Sequence, residues 1–234
     1  MKDESLDFFF YNFFLDKWFM SLQKIYDIYT HEVVGGELLL RVFDEEILDN
    51  GIYFPEAFSD NRFNNLTLDI LFKLKKYLVT SPEIFPDHVS FNFVPINIES
   101  IEIHKSLVEI TEMFNRLNKN LVLEISEIFT HSDYIKFLPI AENLKDAGAQ
   151  IGLDDYGATD IEIDALDFFP LDFVKLDRSI SISEDALKSS FHRKMISIAN
   201  KRNLTLIAEG VEDNETINFL KSYGYRLVQG YYFH

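Results

Sequence analysis

The chain has 234 residues, of which 47% are hydrophobic and 26% are charged, so it can bury a core and is not a disordered tail. Its 39 acidic and 22 basic side chains give a formal net charge of −17, which argues against binding to a nucleic-acid polymer. The absence of cysteine excludes disulfides, thiolate metal sites and a thiol nucleophile, and it fits a reducing cytoplasm.

The first residues do not read as a targeting signal. Met1-Lys2-Asp3-Glu4 is acidic where a secretory signal would be basic, and the apolar run Phe8–Leu15 is interrupted by Asn12. That run is far shorter than the roughly 20 residues of a membrane span, so no transmembrane segment is predicted. We expect residues 1–18 to form a helix, N-capped by Ser5, that packs on the following domain. A partner-binding or membrane-surface helix is the alternative, although the run lacks a broad basic face.

From residue 19 onwards, short apolar runs alternate with helix-length segments. The predicted strands are Phe19–Ile28, Val33–Val42, Val89–Val94, Leu121–Ile125, Gln150–Leu153, Phe173–Leu176, Leu204–Ile207 and Arg226–Val228. The predicted helices are Leu66–Leu78, Glu99–Leu117, Ser132–Ala147, Glu184–Lys201 and Glu215–Tyr223, with Ser132 and Asn214 as N-caps and Gly148 as a stop.

The connections between these elements predict how the strands pair. The short link between the first two strands predicts an antiparallel hairpin, and the later alternation of strand and helix predicts parallel pairing. Eight strands in about 215 residues favour a compact (β/α) barrel over an open sheet. We therefore expect a (β/α)8 barrel in which one strand runs antiparallel to its neighbours.

Polar side chains fall inside the predicted strands or at their ends. They are Glu37, Asn92, Glu124, Asp154, Asp155, Lys175, Glu209 and Gln229. Because active sites of such barrels lie at the carboxyl ends of the strands, we expect these side chains to converge there. Clustered acids need neutralisation, and an all-oxygen donor set favours Mg²⁺ or Mn²⁺ over zinc. Taken singly, Glu37 or Glu209 is better explained as a solvated loop acid, so only the joint pattern supports a site.

The same residues lie in motifs that resemble the EAL domain family, the phosphodiesterases of cyclic di-GMP. The motifs are Gly36-Glu37-Leu38-Leu39-Leu40-Arg41, Phe91-Asn92-Phe93, Leu123-Glu124-Ile125-Ser126-Glu127, Leu153-Asp154-Asp155-Tyr156-Gly157, Val174-Lys175-Leu176-Asp177-Arg178-Ser179, Ile207-Ala208-Glu209-Gly210-Val211-Glu212 and Val228-Gln229-Gly230-Tyr231. They occur in the family order between Phe19 and His234, with Leu38 where the family usually has alanine. Each motif is weak alone, whereas the ordered set is specific.

The resemblance implies a TIM-like barrel over residues 19–234 and hydrolysis of cyclic di-GMP to linear pGpG with two divalent cations, Mg²⁺ or Mn²⁺. It implies that the first cation is held by Glu37, Asn92, Glu124 and Asp154, and the second by Asp154, Asp155 and Glu209. By the same resemblance, Lys175 and Gln229 contact the attacking water, Gln23, Leu39 and Arg41 bind substrate, and Glu127 stabilises the loop after Asp155.

The sequence departs from the family pattern at two places. Thr159 stands where the family has a second glycine, and Ile161-Glu162 replace small residues, so we expect residues 155–163 to be the least settled part of the site. In the family this loop couples the second metal to dimerisation, which implies a homodimer formed through the loop. The sequence stops at His234, where the family continues through a proline and a helix, so we expect the closing segment to be short or absent.

Two other interpretations compete with the enzyme. The altered loop favours a non-catalytic EAL-type receptor of cyclic di-GMP or a protein-interaction module, but the motif glutamate and both paired aspartates are retained. A barrel glycosidase would use two carboxylates, and it leaves Asn92 and Lys175 among five acids unexplained.

Overall fold

The structure is a computed structural model that describes residues 18–42, 62–125, 129–157, 169–181 and 186–233. Residues 1–17 of the predicted N-terminal helix, Glu127 and the altered positions 159–162 lie outside these residues, and Trp18, predicted as the last residue of that helix, is the first residue of a strand. Within the described part of the chain, no helix is long and apolar enough to cross a bilayer.

The described part of the chain contains eight strands and six α-helices. The strands are β1 Trp18–Asp27, β2 Val33–Val42, β3 His88–Asn92, β4 Asn120–Ile125, β5 Gln150–Tyr156, β6 Phe173–Leu176, β7 Thr205–Ala208 and β8 Leu227–Gln229. The helices are α1 Arg62–Thr80, α2 Ile101–Arg116, α3 His131–Asp146, α4 Arg178–Ser181, α5 Ala186–Arg202 and α6 Asn214–Tyr223, with 3-10 turns at Pro82–Ile84, Pro95–Glu99 and Tyr231–Phe233. The bounds of β2 and β6 are as predicted, and the other strands differ by a few residues.

The strands close into a barrel in the order β1 to β8. Strand β1 pairs antiparallel with both β2 and β8, and every other neighbouring pair is parallel. The expected barrel with one antiparallel strand is therefore confirmed. Because the remaining strands are parallel, their carboxyl ends all open at one mouth.

The β1–β2 hairpin turns at Asp27, whose carboxylate organises the tight connection. Its Oδ1 accepts hydrogen bonds from the backbone N–H groups of Tyr29 and Thr30, at 2.8 and 3.2 Å. This is the local pattern by which aspartate stabilises turns. The resulting register places Gln23 of β1 directly opposite Glu37 of β2.

Two predicted helix N-caps are wrong. Helix α3 is capped by Thr130 instead of Ser132: Thr130 Oγ1 accepts from the backbone N–H of Asp133, whose carboxylate in turn accepts from the backbone N–H of Thr130. Helix α6 is capped by Asp213 instead of Asn214, through a 2.7 Å bond from the backbone N–H of Thr216. In both cases the structure selects the residue that reaches the free N–H groups of the first turn. Gly148 follows the end of α3 with φ +100°, as expected of a helix stop.

Apolar side chains inside the barrel form the floor beneath its mouth. Ile25, Val122, Phe173 and Ile207 are buried and pack together as a cluster separate from the larger core between strands and helices. On its own strand, each of these residues is two positions away from a polar residue singled out above. Side chains two apart share a strand face, so the apolar layer lies directly under the polar one.

Candidate metal centre

Carboxylates from four strands meet at the mouth of the barrel. One oxygen each of Glu37, Glu124 and Asp154 lies within 4.8 Å of the other two, and all three residues are buried. A second group with the same spacing is formed by Asp154, Asp155 and Glu209. Asp154 belongs to both groups, so the two groups are adjacent and share a carboxylate.

A break in β5 brings Asp154 and Asp155 to the same group. Neighbouring residues of a regular strand point to opposite faces. Here the pairing of β5 with β6 shifts register between Leu153 and Tyr156, and Asp155 adopts a left-handed conformation with φ +54°. Aspartate tolerates this conformation better than most residues other than glycine. The irregularity turns the Asp155 carboxylate towards that of Asp154.

Lys175 lies at the centre of these acids, with 1% of its surface exposed. Its Nζ is 2.9 Å from Glu37 Oε2, 2.8 Å from Asp154 Oδ1, 2.7 Å from Glu209 Oε1 and 3.5 Å from Glu124 Oε2. One ammonium cannot neutralise four carboxylates, so the fully ionised cluster keeps a net negative charge that favours binding of cations.

Glu37 differs from the other acids of this cluster in that its ionised form is favoured. Its Oε1 accepts from Asn92 Nδ2 at 3.0 Å, and its Oε2 accepts from Lys175 Nζ and from Gln229 Nε2, both at 2.9 Å. Burial alone would raise the pKa of Glu37, but the charge of Lys175 and these three donors lower it below its ordinary value.

The other acids have raised pKa values, mainly because burial disfavours their charged forms. The pKa of Glu124 is raised well above its ordinary value, and that of Asp154 is also raised. Burial brings the pKa of Glu209 to about 8 and that of Asp155 to about 6, and neighbouring carboxylates push in the same direction. Lys175 opposes both effects without cancelling them. The cluster therefore resists full ionisation without added positive charge.

The donor set fits hard divalent cations. Glu124 Oε2 and Asp154 Oδ1 are buried oxygens that accept no hydrogen bond from the described residues, although both lie near the Lys175 ammonium. The side chains of both carboxylate groups, with Asn92 beside Glu37, offer only oxygen as metal-binding atoms. Such sites select Mg²⁺, Mn²⁺ or Ca²⁺ rather than zinc.

The predicted substrate-binding residues lie beside this cluster on β1 and β2. Gln23 pairs with Glu37 across the hairpin, and Leu39 and Arg41 follow Glu37 at alternate positions of β2. Residues at this spacing share one strand face. All three are half-buried, and Arg41 Nη1 donates to the carbonyl of Leu40 at 3.0 Å.

One polar residue at this mouth, Ser181, was missed by sequence reasoning. It is fully buried, and its Oγ accepts from the backbone N–H of Glu209 at 3.2 Å. The separation of the two residues in the chain gives no periodic signal that could connect them. Only the closure of the barrel brings α4 against the end of β7.

The fold and the site define a (β/α) barrel whose mouth carries a candidate site for divalent cations, and comparison with known proteins assigns the family. The model of the EAL domain matches residues 13–234, so the chain belongs to the EAL domain family.

Curated relatives carry names consistent with that family. The chain is 25% identical over 228 residues to the probable cyclic di-GMP phosphodiesterase PdeN of Escherichia coli K12, covering 93% of this chain and 43% of PdeN. It is 24% identical over 216 residues to the cyclic di-GMP phosphodiesterase PdeL of the same organism, covering 90% of this chain and 60% of PdeL. The chain therefore spans only part of the length of each relative.

Solved structures of EAL proteins share the fold. The EAL enzyme Bd1971, with cAMP and cyclic di-GMP bound, superposes with a TM-score of 0.76 at 21% identity, over 99% of this chain and 65% of that one. A manganese and cyclic di-GMP complex of Klebsiella pneumoniae BlrP1 gives a TM-score of 0.74 at 20% identity, over 92% of this chain and 55% of that one. At this identity the likeness establishes the barrel fold.

Proposed function

We propose that the chain is a metal-dependent phosphodiesterase that hydrolyses cyclic di-GMP to linear pGpG. The observation that carries the proposal is the pair of carboxylate groups that share Asp154 and surround Lys175. The names of the curated relatives support the substrate, and the manganese complex of BlrP1 supports the kind of cation.

In this proposal two cations, Mg²⁺ or Mn²⁺, bind to the two carboxylate groups. Glu37, Asn92, Glu124 and Asp154 hold the first; Asn92 donates to Glu37 through Nδ2, which leaves Oδ1 as its oxygen ligand. Asp154, Asp155 and Glu209 hold the second. When bound, such a pair supplies Lewis-acid stabilisation of phosphate charge and activation of a water nucleophile.

Lys175 and Gln229 are proposed to orient the attacking water. Without bound metal, the acids around Lys175 outweigh the effect of its burial and raise its pKa well above the ordinary value. Lys175 is therefore proposed to act as a charged hydrogen-bond donor. Gln229 donates to Glu37 through Nε2, and its buried Oε1 accepts no hydrogen bond from the described residues. That oxygen is suited to accept a hydrogen bond from the water. The water oxygen bonds to phosphorus while the bond to the 3′ oxygen breaks; one water proton goes to the departing 3′ oxygen, which leaves as a hydroxyl, and the other goes to the new phosphate monoester.

Gln23, Leu39 and Arg41 are proposed to bind the substrate on the β1–β2 side of the mouth. The planar guanidinium of Arg41 can give two parallel hydrogen bonds to a phosphate, in exchange for its bond to the carbonyl of Leu40. Glu127 is proposed to stabilise the loop after Asp155, and that loop to form a homodimer contact.

The test is incubation of the purified chain with cyclic di-GMP and Mn²⁺ or Mg²⁺, followed by chromatography of the products. We expect pGpG from the parent and none from Asp154→Asn, which removes a charge that both carboxylate groups share. Asp69→Asn, an exposed position on α1, is the matched control and should retain activity. If the parent hydrolyses no cyclic di-GMP with either Mn²⁺ or Mg²⁺, the proposal that the chain is a phosphodiesterase is contradicted.

A receptor is the second candidate, and the altered loop at Thr159 and Ile161-Glu162 is the observation that favours it. A receptor would bind cyclic di-GMP tightly and leave it intact under the same conditions. Calorimetric titration of the nucleotide, alongside the product analysis, separates the two candidates.

A further inference from the structure

Glu209 lies just beyond the end of β7, so the strand ladder alone does not fix its direction. Its backbone N–H is shared between two acceptors, the carbonyl of Leu176 at 3.1 Å and the hydroxyl of Ser181 at 3.2 Å. The Ser181 hydroxyl itself donates to the carbonyl of Leu176 at 3.1 Å. These three contacts form a closed triangle that joins the end of β6, the end of α4 and the main chain of Glu209.

Helix α4 also holds the residues that follow Glu209. Gly210 has φ +71°, and a β-carbon at that position would lie 2.3 Å from Cγ of Arg178, so the Arg178 side chain crosses directly over this glycine. Beyond it, Arg178 Nη1 contacts Glu212 Oε1 at 2.7 Å. The segment after β7 therefore contacts α4 on both sides of Gly210, through Glu209 before it and Glu212 after it.

We propose that Ser181 is a positioning residue that aims the Glu209 carboxylate at the second carboxylate group and so sets the affinity of that group for a divalent cation. This inference rests on the proposed function. Partners behind a metal ligand typically contribute 10–100-fold to metal affinity when they fix its orientation. Among the described residues, Glu37 and Glu124 of the first group make no hydrogen bond to Ser181, and they come from β2 and β4. The effect of Ser181 is thus confined to one of the two groups.

The experiment is a calorimetric titration of Mn²⁺ into the full chain after removal of metals, for the parent, Ser181→Ala and Ser181→Cys. We expect two binding events in the parent, one of them weakened about 10–100-fold in Ser181→Ala and the other unchanged. Ser181→Cys keeps most of the side-chain volume but bonds weakly, so it should resemble Ser181→Ala. Ser222→Ala, which removes an exposed hydroxyl on α6 that bonds to the carbonyl of Phe219, should match the parent.

Activity gives an independent readout of the same role. In Ser181→Ala the Mn²⁺ concentration for half-maximal rate should rise by a similar factor, while kcat at saturating Mn²⁺ recovers. Unchanged titrations in Ser181→Ala would overturn the inference and leave the proposed function standing. Equal weakening of both events, or parent-like behaviour of Ser181→Cys, would assign Ser181 to packing instead. A parent that binds no Mn²⁺ would overturn the inference and the proposed two-cation enzyme together.

Discussion

Lys175 and Glu37 lie 138 residues apart in the chain, and Lys175 Nζ is 2.9 Å from Glu37 Oε2 at the centre of the barrel mouth. Both side chains are buried, and Glu37 is also held by Asn92 and Gln229. Among the described acids of the cluster, Glu37 has a lowered pKa where Glu124, Asp154, Asp155 and Glu209 have raised ones. Lys175 and Glu37 therefore form an ion pair at the centre of the cluster, whereas ionisation of the other four acids is favoured by added positive charge.

Replacement of Lys175 by methionine tests its role in the chemistry. Lys175→Met keeps an extended side chain but removes the charged donor that orients the water, so kcat should fall by roughly 10²–10³, the loss expected when one preorganised donor is removed. That loss corresponds to about 3–4 kcal/mol of transition-state stabilisation. Steady-state kinetics at saturating Mn²⁺ measure it, with Lys73→Met on α1 as the control for a lysine outside the mouth. Retention of the parent kcat by Lys175→Met would contradict the assignment.

Glu37 and Glu124 should respond in opposite ways to neutralisation in the metal-free protein. Glu37→Gln removes a charge that Lys175, Gln229 and Asn92 stabilise, so the melting temperature should fall. Glu124→Gln replaces an acid whose burial already raises its pKa strongly, so the melting temperature should stay constant or rise.

Thermal unfolding in excess chelator measures both variants, and both should lose phosphodiesterase activity because each removes a proposed metal ligand. A larger destabilisation by Glu124→Gln than by Glu37→Gln would contradict the electrostatic description of the cluster. Glu142→Gln, an exposed acid on α3, controls for the substitution itself.

The barrel architecture could be predicted from the sequence because the hydrophobic periodicity of strands differs from that of helices, and because the short connection between the first two strands predicts an antiparallel hairpin. The N-cap of α3 could have been predicted correctly, because Thr130 followed by Asp133 is itself a sequence signal of a capping box. The structure selects Thr130 because its side chain reaches the N–H of Asp133.

The site was less predictable than the barrel. A strict two-residue alternation would send Asp154 and Asp155 to opposite faces of β5, and only the left-handed Asp155 and the register shift reunite them. Family resemblance supplied this pairing where periodicity could not. The contact of Ser181 with Glu209 depends on the packing of α4 against β7, which has no counterpart in local sequence pattern.

The identity of the cation should matter strongly. Mg²⁺ and Mn²⁺ prefer compact octahedral coordination, whereas Ca²⁺ takes more ligands at longer distances. We therefore expect turnover with Mg²⁺ and Mn²⁺ and inhibition by Ca²⁺, measured as product formation with each metal alone and with Ca²⁺ added to Mn²⁺. Turnover with Ca²⁺ equal to that with Mg²⁺ would contradict a closely spaced pair of octahedral cations.

Asp27, at the opposite end of the barrel, offers a prediction about stability that is independent of metal. Its carboxylate is 2% exposed, accepts from the backbone N–H groups of Tyr29 and Thr30, and pairs with Nε of Arg226. Burial would raise the pKa of Asp27, but the bonds from Arg226, Tyr29 and Thr30 outweigh it and lower the pKa below the ordinary value of 3.8.

Because the folded pKa of Asp27 lies below the unfolded one, the ionised carboxylate stabilises the fold above the unfolded pKa, and this stabilisation is lost as the pH falls through the folded pKa. Asp27→Asn should therefore lower the free energy of unfolding by about 1.5–3 kcal/mol at neutral pH, the scale of hydrogen bonds to a charged group. The difference from the parent should shrink below about pH 4, where the parent carboxylate also becomes protonated. Urea denaturation of the parent, Asp27→Asn and the exposed control Asp69→Asn, from about pH 7 to about pH 3, measures this. A difference that stays constant over this range would mean that the Asp27 side chain stabilises the hairpin by its shape and not by its charge.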